Sequence, residues 1–156
     1  MRKIYLLVLL MSTMLFGQQR PGAVFLLIWP GAKPTALAGA FAAIADDRTA
    51  CYYNQGGLAF IDNAMITLQH ANWLPALQPD MYYEYLGIAK PFKFGTLGFD
   101  IIYLTTGKTQ VVNEDGTVLG EYTTFDIAIG FDYGSKLNDK LGLGIGWKII
   151  YSYLVP

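Results

Sequence analysis

Residues 139–153 alternate strictly between two kinds of side chain. The odd positions are Asp139, Leu141, Leu143, Ile145, Trp147, Ile149, Tyr151 and Tyr153, and the even ones are Lys140, Gly142, Gly144, Gly146, Lys148, Ile150 and Ser152. A period of two marks a β-strand, because successive Cβ atoms point to opposite faces. The run is longer than the roughly five or six residues usual in soluble sheets. Its apolar face ends in tyrosines, while its other face is small or charged. That combination fits lipid on one side and a water-filled or plugged lumen on the other.

Two further stretches repeat the pattern. In residues 121–133, Thr123, Phe125, Ile127, Ile129, Phe131 and Tyr133 oppose Tyr122, Thr124, Asp126, Ala128, Gly130 and Asp132. In residues 95–105, Leu97, Phe99, Ile101 and Tyr103 oppose Thr96, Gly98 and Asp100. A soluble antiparallel sandwich also alternates. Three long, tyrosine-edged strands behind an export signal favour a membrane barrel over the sandwich.

Composition agrees with strands that meet lipid. The 156 residues are 53% hydrophobic and 15% charged, with mean hydropathy +0.32. No run of eighteen apolar residues is present, so the apolarity is spread over alternating strands rather than gathered in a spanning helix. Eleven tyrosines, nine phenylalanines and three tryptophans suit aromatic girdles, although buried aromatics of a sandwich give similar counts. The net charge of −1 and the lack of a basic cluster argue against nucleic acid as a partner.

Residues 1–17 read as an export signal: Met1, Arg2 and Lys3 form the positive start, residues 4–16 the apolar stretch, and Gly17 the small residue before cleavage. The apolar stretch is too short for an uncleaved helical anchor. No cysteine lies in residues 15–22 to carry a lipid anchor. Cys51 is the only cysteine, which rules out an internal disulfide.

Residues 18–63 form a separate segment. From 21 to 63 the chain lacks strand periodicity and is rich in Ala, Gly and Pro. Residues 35–44 predict a short helix or a buried strand, weakened as a helix by Gly39. Asp46 or Asp47 is placed to cap a second short helix running to Tyr53, and Gly56 and Gly57 then turn the chain. The segment reads as a plug in a barrel mouth or, in the plainer alternative, a linker. Residues 64–156 supply five expected strands, at 64–73, 81–91, 95–105, 122–133 and 140–153. The connections at 92–94 and 134–139 are short, whereas those at 74–80 and 107–120 are long. Bacterial barrels put short turns in the periplasm and long loops outside. They also have even strand numbers of at least eight, so five strands predict the N-terminal portion of a longer, closed barrel.

Motifs for catalysis are lacking. His70 has no second His or Cys nearby, and Asp46–Asp47 resembles half of a carboxylate site but fits capping or a turn better. No catalytic triad order, phosphate loop or zinc spacing occurs, so neither a catalytic residue, a metal nor a cofactor is expected. Asp100, Asp126, Asp132 and Lys148 lie on the small, polar faces of their strands and are expected to face the lumen as a mutually paired network. Glycines 142, 144 and 146 leave space beside a plug or partner strand.

Three blocks resemble a known family. They are FLLIWPGAK at residues 25–33, AGAFAAIADD at 38–47 and YYNQGGLAF at 52–60, followed by PDMYYEY at 79–85 and IYSYL at 150–154. Together they are similar to the PorV/PorQ family, relatives of FadL-type outer-membrane barrels. The resemblance implies a fourteen-stranded barrel with an N-terminal hatch folded into its lumen. It implies an outer-membrane location in a Gram-negative-type bacterium, with outer-membrane lipid around the barrel. PorV-type members act with the type IX secretion system, and the implied partners are secreted cargo proteins and other components of that system. FadL-type members instead move hydrophobic small molecules, the alternative function. The family's Asn-Pro-Ala-Gly in the hatch is here Asn54-Gln55-Gly56-Gly57, without the proline that fixes the turn, which predicts a more flexible hatch.

Overall fold

The computed structural model describes residues 22–154, and the export signal expected at residues 1–17 lies outside them. Five antiparallel strands form one sheet in chain order: β1 (Met65–Asn72), β2 (Tyr82–Phe92), β3 (Gly95–Val112), β4 (Val118–Asn138) and β5 (Leu141–Tyr153). Every strand pairs with its chain neighbour, the all-β up-and-down arrangement that the alternation predicts. Among the described residues β1 and β5 each pair on one side only, so the sheet is an open, partial barrel.

Register turns the alternation into two faces of opposite chemistry. One face carries the rows Ile66–Ile88–Phe99–Phe131–Trp147 and Leu68–Leu86–Ile101–Ile129–Ile149, read across the five strands. Many of these side chains are exposed, Leu68 and Trp147 the most, at 78% and 69%. Aromatic rings close this apolar band at both ends. Tyr82, Tyr103 and Phe125 follow one another at centroid spacings of 6.0 and 5.7 Å, and Phe125 reaches Tyr153 at 5.4 Å. At the other end Phe92, Phe94 and Tyr133 stack at 5.3 and 6.5 Å. Tyr82 and Phe92 bound the 11 residues of β2. At ~3.3 Å per residue and the ~40° tilt usual in membrane barrels, the two ring rows stand ~25 Å apart, the height of such a barrel's apolar band.

The opposite face is covered by residues 22–63. It carries the rows Gly98–Asp132–Gly146, Asp100–Gly130–Lys148, Ile102–Ala128–Ile150 and Leu104–Asp126–Ser152 across β3, β4 and β5. The segment forms four short elements, η1 (Val24–Leu27), α1 (Ala32–Ala36), α2 (Ala50–Tyr53) and η2 (Gln55–Phe60), of which η1, α2 and η2 pack against this face. Phe25 of η1 packs with Tyr83, Tyr85, Ile102 and Ala128. Cys51 and Leu58 pack with Ala45, Ala50, Ile61 and Ala89. The covering segment is therefore part of the core.

Three local expectations change. The helix expected at 35–44 is α1, which starts at Ala32 and ends at Ala36. Ala38 and Gly39 take left-handed φ of 51° and 79°, which stops the helix, and a Cβ on Gly39 would stand 2.7 Å from the Trp29 ring. The long connection expected at 107–120 is mostly strand: β3 and β4 continue as a two-stranded ribbon past the last β2 and β5 partners, Tyr82 and Tyr153. A bulge at Thr105/Lys108, with Gly107 at φ +70°, joins ribbon to sheet. Finally, β4 runs through Asn138, so the turn to β5 is only Asp139 and Lys140.

Candidate functional site

The face under residues 22–63 begins with a lane that has almost no side chains. Gly134, Gly142 and Gly144 of β4 and β5 leave the sheet backbone bare, and η2 lies on it. A Cβ on Gly144 would fall 2.2 Å from the carbonyl carbon of Gln55, one on Gly142 would fall 2.6 Å from Gly56 O, and one on Gly134 would fall 2.6 Å from Gln55 O. Backbone meets backbone here, so no rotamer change could make room.

The hatch motif has a packing role. Asn54 Oδ1 accepts from Gly56 N at 3.0 Å, and its Nδ2 donates to Ala42 O at 2.9 Å, so one side chain sets the start of η2 and ties it to the preceding turn. Gln55 Nε2 donates to Cys51 O at 2.7 Å. Gly56 and Gly57 do not take left-handed φ. Gly57 is required by contact, since a Cβ there would stand 2.4 Å from Ala45 O, and Gly56 sits over Gly142 O. Both glycines are thus held by close contacts. Asp46 and Asp47 separate in role: Asp46 accepts from Lys33 Nζ at 2.6 Å, and Asp47 Oδ1 accepts from Thr49 N and Oγ1 at 2.7 and 2.6 Å, shaping the turn into α2.

Of the four charged residues expected to form one lumen network, the structure brings three together. Lys148 Nζ donates to both carboxylate oxygens of Asp100 at 2.5 Å. The pair crosses β4 over Gly130, where a Cβ would stand 2.1 Å from Asp100 Oδ1 and 2.7 Å from Lys148 Nζ. Asp100 is fully buried. Asp132, one row away, is also buried, and neither of its oxygens has a hydrogen-bond partner among the described residues. Cys51 closes the cluster from the hatch side: Sγ donates to Ile88 O at 3.8 Å and occupies the space left by Gly98. Burial pushes the Cys51 thiol up, and the negative charges of Asp132 and Asp100 add to the effect.

Asp126 stands apart. It lies two rows beyond Asp100, beside Ser152, and lines an apolar cavity of about 840 Å³ between η1 and the long-connection ends of the strands. Phe25, Ile28 and Trp29 form the hatch wall; Trp73, Tyr83 and Leu104 form the sheet wall. Gly31 N donates to Gln69 Oε1 at 2.5 Å, and the Tyr52 hydroxyl donates to Leu26 O, which fixes the hatch wall in place. Neither the cavity nor Gly130 and Cys51 as partners of the charged cluster were foreseen from the sequence. Trp29, Trp73 and Asp126 come to one cavity only because residues 22–63 fold over the sheet.

His70 is on the outward face, where Nδ1 lies 2.7 Å from Glu84 Oε1 and Nε2 lies 3.2 Å from Asn72 Oδ1. Among the described residues no three His, Cys, Asp or Glu side chains are grouped as a metal site requires. Comparison with known proteins finds no matching family model, no matching curated protein and no matching solved structure.

The backbone contact at Gly144 yields a direct test, with Cys51 as reporter. In the folded protein Cys51 is expected to resist iodoacetamide at pH 8, because it is buried and its thiol stays protonated. Gly144→Ala should push η2 off the sheet, destabilise by about 1–3 kcal/mol and make Cys51 reactive. Gly120→Ala, where nothing lies within 4 Å of the added Cβ, should leave Cys51 protected. Equal protection in both variants would contradict the contact.

The ion pair yields a second test. Lys148→Met leaves Asp100 buried without a cation and should cost about 3–5 kcal/mol. Adding Asp100→Asn should restore most of that loss. A double-mutant cycle in denaturant reads the coupling, and additive effects would show that the two groups are independent.

Proposed function

We propose that this chain contributes the first strands and the hatch of an outer-membrane β-barrel of the PorV/PorQ type, acting with type IX secretion in the handover of cargo at the cell surface. The observation that carries the membrane reading is the exposed apolar band closed at both ends by aromatic rings. Water leaves such a face costly, whereas lipid matches both its chemistry and its height. In a bilayer the free edges of β1 and β5 would need strand partners, since unpaired backbone groups in hydrocarbon cost several kcal/mol each. The export pattern of residues 1–17 and the family-like blocks of the hatch support the location and the secretion role. The role is non-catalytic: the barrel anchors a surface, and the β3–β4 ribbon, beyond the upper aromatic row, offers that surface to passenger proteins.

A second reading is favoured by one observation. The apolar cavity under η1 suits the alternative of a FadL-like carrier for hydrophobic small molecules, with the hatch as one wall of the binding site. Its volume lies within the range of small-molecule pockets.

Lipid contact predicts a strong position effect. Ile129 lies midway between Phe125 and Tyr133 on the outward face of β4. Ile129→Arg should cost about 2–4 kcal/mol of insertion and reduce the folded, heat-modifiable fraction in outer membranes, while Ile129→Val should be tolerated. Equal yields would argue for a solvent-facing sheet. In the producing bacterium, deletion of the gene should leave proteins with type IX targeting domains in the periplasm. Normal surface display of that cargo would overturn the secretion role without touching the barrel reading.

A further inference from the structure

Among the described residues, Asp126 is the only charged one in the lining of the apolar cavity. It is half-buried, and among the described residues it makes no ion pair and no side-chain hydrogen bond. Two rows away the same face supplies Asp100 with its own lysine, at 2.5 Å. Asp126 has no such cation, and its cross-strand neighbour is Ser152. Apart from Thr35, Gln69 and Ser152, the rest of the described wall is apolar or aromatic, from Phe25 and Trp29 on the covering segment to Trp73 and Leu104 on the sheet side.

We infer that the cavity binds an amphiphile with an apolar body and a cationic head, the ammonium seated on Asp126 beside Ser152. Three ligand classes can be compared by charge. An anionic head, such as a fatty carboxylate, would meet a like charge with no basic side chain among the described lining residues to offset it. A headless hydrocarbon would press against the carboxylate and strip its water without replacing the hydrogen bonds. An ammonium supplies donors and opposite charge at once, and charge-assisted hydrogen bonds of this kind are the stronger class. The inference presupposes the hydrophobic-compound reading above and narrows it to one head-group chemistry.

The test uses the membrane-purified protein exchanged into amphipol, with Trp147→Phe to leave Trp29 and Trp73 as reporters. Dodecylamine, dodecanol and dodecanoate are titrated at pH 7.5 and read by tryptophan fluorescence. The amine should bind at least about tenfold more tightly than the carboxylate, or ~1.4 kcal/mol, with the alcohol between them. Asp126→Asn should bring the three within about twofold of one another. Asp126→Glu, which keeps the charge, should retain the amine preference. Should Asp126→Asn not fold, the ranking of the three ligands on the parent protein still decides. Saturable binding of all three with equal affinity, or a preference for the carboxylate, overturns the cationic head while leaving the hydrophobic-compound reading standing. No saturable response to any of them overturns both.

Discussion

The structure depends on one contact between two stretches of bare backbone. Gln55 and Gly56 of the hatch rest directly on Gly134, Gly142 and Gly144 of the sheet, at a distance that excludes any side chain. Because neither partner can yield, this contact fixes where the hatch stands. From that position Cys51 reaches Gly98, Phe25 reaches Ile102 and Ala128, and η1 spans the upper rows to form the cavity. A single methyl on the lane would disturb all three consequences together, which is why the glycines of β5 fall at every second position and not at random.

Charge on the hatch-covered face follows the same economy of space. Asp100 and Lys148 sit on strands separated by β4, and they meet because Gly130 between them has no side chain. Burial of Asp100 is tolerable only with the ammonium present. Asp132 sits in the neighbouring row between Gly98 and Gly146, buried and, among the described residues, without a hydrogen-bond partner. Asp126 lines the apolar cavity, with no cation beside it among the described residues. Three aspartates on one face thus have three different environments, and only the last is open to a small molecule.

Much of this was legible in the sequence, because period-two alternation in residues 95–105, 121–133 and 139–153 encodes both strand and face. The sidedness of Asp100, Asp126, Asp132 and Lys148 follows from the same parity. The ribbon at 106–112 and 118–121 was not legible: Thr106, Gly107, Lys108 and Gln110 break the apolar rhythm, and the pairing depends on partners across the hairpin. The end of α1 was hidden as well, since nothing in the identity of Ala38 announces a left-handed backbone. The grouping of three charges without the fourth required register, which a single strand does not specify. Gly56 and Gly57 look like flexible turn residues in isolation and are contact residues in the fold.

The central proposal is that the exposed apolar face of the sheet meets lipid while residues 22–63 cover the other. Spin labels placed singly along residues 141–153, in a Cys51→Ser background and reconstituted in bilayers, test it through their collisions with oxygen and with a water-soluble nickel complex. The account predicts that odd positions from Leu143 to Tyr151 are high in oxygen and low in nickel collisions and that Ile150 and Ser152, on the opposite face, are low in oxygen collisions, the glycines being left unlabelled because their lane admits no side chain. Nickel access along the odd positions, or no difference between the two faces, would contradict it.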